Sequence, residues 1–295
     1  MSYLPVLLGL STAFCWGTSD YLSRRQSESV GHYRTTIYMH VTTLATLAPL
    51  IILLRPQGSI PLYAAALLSA AGALNFFAFI FLYRAFHTGV VSVVAPIAYT
   101  YPAVTTVLAF LLLGTVLTPM RTVALTSVML GVILLSTRYS ELKRYLRGRS
   151  MLQLTPGIGS AGLAALSFGT IYTGVGYVTP AVGFVVPVLF LRGVGLLAGI
   201  LFAPFARQSV RPDRASLSAT MIIMGILEAL GFLAFNLGVS LSSDALPIAI
   251  ALSGMGGAFA TSYAIAFLRE RLEPNQLLGV ALSLAGVFAL LYFGA

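Results

Sequence analysis

Two charges stand where a chain this apolar has least reason to put them. Glu228 sits near the middle of MIIMGILEALGFLAFNLGVS, Met221 to Ser240, and Arg192 lies inside VVPVLFLRGVGLLAGILFAP. Each stretch is long and apolar enough to cross a bilayer. A carboxylate at that depth costs at least roughly 2.5–3.5 kcal/mol on insertion scales, so it faces a partner or a wet cavity. The turn between the two stretches centres near Val210, with Arg192 18 residues before it and Glu228 18 after. At about 1.5 Å of rise per residue, two antiparallel helices bring these charges to similar depth. An arginine fork fits a carboxylate, and pairing is the cheapest way to keep both buried. Two readings follow. In one, the pair is static and locks its two spans together. In the other, both side chains line a cavity and exchange partners with substrate or protons; a glutamate in low dielectric can hold a proton at neutral pH.

Other polar groups join them. Asn75 and His40 fall inside spans, and the only tryptophan, Trp16, sits within the first apolar run, where its N–H needs a partner. Tyr99 and Tyr101 flank Thr100 just after Pro96. Trp16, Tyr99 and Tyr101 together would suit an organic cation or an aromatic group. Arg192 would suit a substrate carboxylate and Glu228 an amine, and the two together a zwitterion. Asp20, with Arg24 and Arg25 one turn on, reads as a pair at a helix end, with a gate residue as the alternative. Asp244 reads as an N-cap, and Glu270, between two arginines, as a surface partner worth little.

The elements that hold these residues follow from composition. Of 295 residues, 58% are hydrophobic and 8% charged, with a mean hydropathy of +0.93. Soluble domains carry about 25% charged residues. The fold class is an all-α polytopic membrane protein, since single helices satisfy their own backbone in lipid. Ten transmembrane helices are expected: Leu4–Leu22, Tyr33–Leu54, Pro61–Tyr83, Val90–Leu113, Pro119–Thr137, Gly157–Val178, Ala181–Pro204, Ser216–Ser240, Asp244–Leu268 and Pro274–Phe293. The net charge of +9 does not indicate nucleic acid, because the basic residues lie in short loops and not on the face of a folded domain. The single Cys15 reads as a buried small hydrophobe. Met1–Leu22 reads as a first span and not a cleaved leader.

Loops after spans 1, 3, 5, 7 and 9 hold Arg24, Arg25, Arg84, Arg138, Lys143, Arg144, Arg147, Arg149, Arg207, Arg211, Arg214, Arg269 and Arg271; the other side holds Arg55 and Arg121. The positive-inside rule puts the first set in the cytoplasm and both termini outside the cytoplasmic membrane.

The chain also repeats itself. Trp16-Gly17-Thr18 returns as Phe168-Gly169-Thr170, and Gly72-x-x-Asn75 as Gly225-x-x-Glu228, with Phe79 matching Phe232. Ser92-x-x-x-Pro96 returns as Ser243-x-x-x-Pro247, Thr115-x-x-x-Pro119 as Glu270-x-x-x-Pro274, and Gly131 as Gly286, at offsets of 151 to 155. His40 matches Arg192. The organisation is a first five-helix repeat over 1–138, a basic linker over 139–156 and a second five-helix repeat over 157–295. Five is odd, so the second copy enters the membrane upside down. Inverted repeats of this kind build secondary transporters, with the site near the midplane between them.

Certain motifs carry a resemblance. Trp16-Gly17-Thr18-Ser19-Asp20, Leu82-Tyr83-Arg84-Ala85, Gly89 through Ile97, Leu268-Arg269-Glu270-Arg271-Leu272, Gln276-x-x-Gly279 and Ala285-Gly286-Val287 resemble the drug/metabolite transporter superfamily in its ten-span, EamA-type form. The resemblance spans the whole chain. Thr115 stands where that family commonly has Glu, and its termini are usually inside. The resemblance implies ten helices around a central cavity and alternating access.

The expected function is secondary transport of small organic metabolites, amino-acid-like or other polar or aromatic solutes, with proton coupling as the sharper form. The partners are the lipid bilayer, a small-molecule substrate and protons, with the chain a monomer or homodimer. No cofactor or metal is expected. An intramembrane enzyme would need paired catalytic groups, and His32, His40 and His87 are scattered, with no H-E-x-x-H or G-x-S-x-G. Gly157-Ile158-Gly159-Ser160-Ala161-Gly162 spells a dinucleotide pattern but opens a membrane helix with no strand before it. A channel lacks a visible filter ring, and a non-transporting scaffold is the remaining alternative.

Overall fold

A chain dominated by Leu, Ala, Val and Gly satisfies its backbone most cheaply as helices, and every element among the described residues is one. The structure, a computed structural model, describes residues 3–54, 59–89, 94, 97–115, 118–140, 142–143, 157–241, 245–259, 263 and 273–293. Ten helices are described: α1 Leu4–Val30, α2 His32–Leu54, α3 Leu62–Thr88, α4 Tyr101–Leu113, α5 Pro119–Ser136, α6 Ile158–Val182, α7 Val185–Phe202, α8 Ala219–Ser240, α9 Ala245–Ser253 and α10 Pro274–Phe293. Five of them, α2, α3, α6, α7 and α8, are long and apolar enough to cross a membrane, and shorter apolar helices accompany them. Pro96, Asp244, Glu270 and the linker residues 144–156 lie outside the described residues.

Three boundaries depart from the sequence reading in ways that shape the site. α1 was expected to stop at Leu22 but continues to Val30. Its last turns stay buried through Ser23, Gln26 and Ser27. The Gln26 amide donates to the Ala215 carbonyl at 2.6 Å, and Ser218 donates back to Gln26 at 3.1 Å. Gly31, at φ +82°, ends the helix. Asp20 therefore lies inside α1, not at its end, and Arg24 reaches Glu28 at 3.6 Å instead. α4 was expected as one span from Val90. The chain turns at Tyr99–Thr100 and restarts with Pro102 in its first turn, where proline's fixed φ suits a helix start and its missing N–H costs nothing. α9 stops at Ser253, turns at Gly254–Met255 and is helical again from residue 256. Bending and close packing both occur there: a methyl group on Gly17 would overlap the Gly256 carbonyl.

The core lies between the two halves of the chain. The most extensive contacts all cross from the first five helices to the last five: α5 on α10, α1 on α8, α3 on α6 and α7, α2 on α8, α1 on α9 and α4 on α6. At one end of the bundle the basic loops converge. Arg34 at the start of α2 reaches Asp213 at 2.8 Å and the Arg211 carbonyl at 2.7 Å, Tyr38 donates to Val210, and the rings of His32 and His87 lie 6.5 Å apart.

Candidate functional site

α7 and α8 form an antiparallel hairpin, and the equal spacing of its two charges from the loop brings them together. Arg192 Nη2 lies 2.6 Å from Glu228 Oε2, with the two residues 0% and 2% exposed. The guanidinium lies against two rings. Its carbon is 5.0 Å from the Phe79 centroid and 4.5 Å from that of Phe232. These contacts are buried, the setting in which they are strongest. Nη1 also donates to Asn75 Oδ1 at 3.4 Å, while Nε has no partner among the described residues.

Glu228 also faces a cavity; Arg192 does not. The cavity, of about 40 Å³, is lined by Trp16 and Asp20 from α1, Phe79 and Leu82 from α3, Ala98, Tyr99 and Tyr101 around the α4 turn, Phe168 and Tyr172 from α6, Glu228 from α8, and Ser253 and Gly256 beside the α9 turn. That volume holds a few waters. Anything larger needs the helices to part.

Each expected site residue has a definite place. Trp16 stacks on Tyr172 at 5.4 Å and packs on Phe232 at 4.8 Å, and its indole N–H has no partner among the described residues. Tyr99 donates to Asp20 Oδ2 at 3.1 Å. The Tyr101 hydroxyl shares a hydrogen bond with Ser253 at 3.2 Å. Asn75 supports the ion pair and is fully buried away from the cavity lining. His40 is likewise fully buried outside the lining. Its Nδ1 bonds the Thr36 carbonyl at 2.8 Å and its ring packs edge-on against Phe76 and Phe79. Cys15 is buried. Among the described residues no group of three or more metal-ligating side chains is assembled.

Asp20, Phe168, Tyr172 and Ser253 line the cavity without having been singled out for it. The repeat offset held the signal. Adding 152 to Trp16, Asp20 and Tyr101 gives Phe168, Tyr172 and Ser253, and all six line the cavity. The hydrogen bond between Tyr101 and Ser253 joins two such matched positions, and the matched Phe79 and Phe232 are the two rings on Arg192.

Against known proteins, residues 4–137 match the EamA-like transporter family. No curated protein matches the chain. Among solved structures, one described only as a crystal structure of a protein superposes with a TM-score of 0.73, at 16% identity, covering 97% of this chain and 97% of its own. That likeness speaks for the fold.

Proposed function

We propose that this chain, which matches the EamA-like transporter family over residues 4–137, is a secondary transporter of small organic metabolites. It works by alternating access between two inverted five-helix halves, 1–138 and 157–295. The observation that carries the reading is the cavity between those halves. Helices α1 and α3 and the α4 turn supply one part of its wall, and α6, α8 and the α9 turn supply the other. The helix packing supports the inverted repeat: α1 on α8 is matched by α6 on α3, α2 on α8 by α7 on α3, and α1 on α9 by α6 on α4. Rocking one half against the other opens such a wall to each side of the membrane in turn. Broken helices beside the cavity, at Tyr99–Thr100 and Gly254–Met255, supply places for that motion to bend.

The end that gathers Arg24, Arg34 and Arg211 faces the cytoplasm in this reading, by the positive-inside rule, and the chain sits in the cytoplasmic membrane. Coupling is to protons, with Glu228 and Asp20 as the carboxylates open to the cavity.

Purified protein reconstituted in sealed vesicles tests the proposal. Accumulation of amino acids, amines or sugars driven by an imposed proton gradient is the expected outcome. No accumulation of any of them, with or without a gradient, rejects transport in favour of a scaffold. Uptake by Glu228→Gln with an unchanged pH dependence removes that residue from proton coupling.

A further inference from the structure

We infer that the cavity recognises an organic cation, an ammonium group held by Asp20 against the aromatic wall. This rests on the transporter reading above and names its substrate class. The argument begins with what the wall lacks. Arg192 is fully buried, absent from the lining, and held by Glu228 and Asn75. A substrate carboxylate therefore meets no free guanidinium among the described residues, and a zwitterion loses the anchor that an exposed Arg192 would have supplied.

Asp20 is the converse case. It lines the cavity, and among the described residues its carboxylate accepts one hydrogen bond, from Tyr99. Among the described residues, the titratable groups that interact with it are Glu228, Tyr83, Tyr99, Tyr101 and Tyr172. None of these is a cation. On its own helix, Arg24 turns outward to Glu28 and both Arg24 and Arg25 are exposed. One carboxylate of the site is thus paired with Arg192, and the other has no cationic partner among the described residues.

The rest of the wall suits a positive guest. Trp16, Tyr101, Phe168 and Tyr172 present rings to the same small space, and aromatic faces attract ammonium groups most strongly when water is excluded. Trp16 and Asp20 are four residues apart on α1 and so share one helix face. At about 40 Å³ the cavity accepts a charged head group, and the remainder of the solute enters as the halves part.

The test is equilibrium binding to the purified full-length protein of a shape-matched trio, benzylamine, benzyl alcohol and benzoate. Benzylamine is expected to bind about tenfold or more tighter than the other two, to weaken as the pH falls, and to lose its advantage in Asp20→Asn. Tyr99→Phe should reduce the advantage by a few-fold. Equal affinities across the trio, a preference for benzoate, no benzylamine binding at millimolar concentration, or an undiminished amine preference in a cooperatively melting Asp20→Asn each overturns the inference. If Asp20→Asn does not fold, the trio and the pH series on the unaltered protein decide. Amine preference without uptake in vesicles would keep the subsite and remove the transporter reading. Uptake without amine preference would do the reverse.

Discussion

Two arginine–carboxylate pairs in this molecule have nearly the same geometry and opposite surroundings. Arg192 and Glu228 meet at 2.6 Å with side chains 0% and 2% exposed, while Arg34 and Asp213 meet at 2.8 Å with side chains 25% and 43% exposed. Distance alone does not rank them. In water both charges of the outer pair are already solvated, so bringing them together gains little. In the core neither charge has that alternative, so each depends on the other, and on Asn75, Phe79 and Phe232, for its place in the fold. The outer pair fastens a loop to α2. The inner pair places a carboxylate at the edge of a cavity while withholding its counter-ion from that cavity. Depth converts the same contact from a loop fastening into a buried part of a cavity wall.

The strongest way to break this contrast is Arg192→Met. Leaving Glu228 buried without its partner should cost about 3–5 kcal/mol, read as a fall in the thermal unfolding midpoint of the purified protein. Adding Glu228→Met to it should recover most of that loss, because the uncompensated charge is gone. A double variant as unstable as the single one would show that the pair's value lies in packing. Arg192→Lys sharpens the point with a smaller effect. It keeps the charge but loses the planar fork that meets two rings and two acceptors, an expected cost of about 1–2 kcal/mol. Arg34→Ala should lower stability less than either, and that loss should vanish in molar salt, whereas the Arg192 variants should be insensitive to salt.

The smallest effect is in acid. The Ser216 hydroxyl and amide, and then Arg34, hold the Asp213 carboxyl below the usual carboxylate range. A carboxyl lowered in the folded state stabilises above its unfolded pKa, about 3.9, and that contribution fades as pH falls through the folded value. Stability measured from neutral to strongly acidic pH should drop more for the parent chain than for Asp213→Asn. Equal slopes would show that this carboxylate contributes nothing to acid sensitivity.

Much of this was legible in the residues. The apolar runs marked where helices lie, the equal spacing about Val210 brought Arg192 to Glu228, and the repeat offset held the cavity wall in the form of matched positions. Asp20 was misplaced for a definite reason. Its neighbours Arg24 and Arg25 signal a membrane boundary, but α1 continues past them because Gln26 and Ser27 are buried against other elements, Gln26 bonding the stretch that leads into α8.

Helices are local objects whose hydrogen bonds close within four residues, so hydropathy and spacing alone marked where the described helices lie and that the two buried charges would meet. Which way a side chain faces is decided by what packs on its helix from far along the chain. Tyr99 reaches Asp20 across 79 residues, Tyr101 reaches Ser253 across 152, and Phe79 and Phe232 close on Arg192 from different halves. Only the assembled bundle could seal Arg192 away and leave Asp20 open to the cavity.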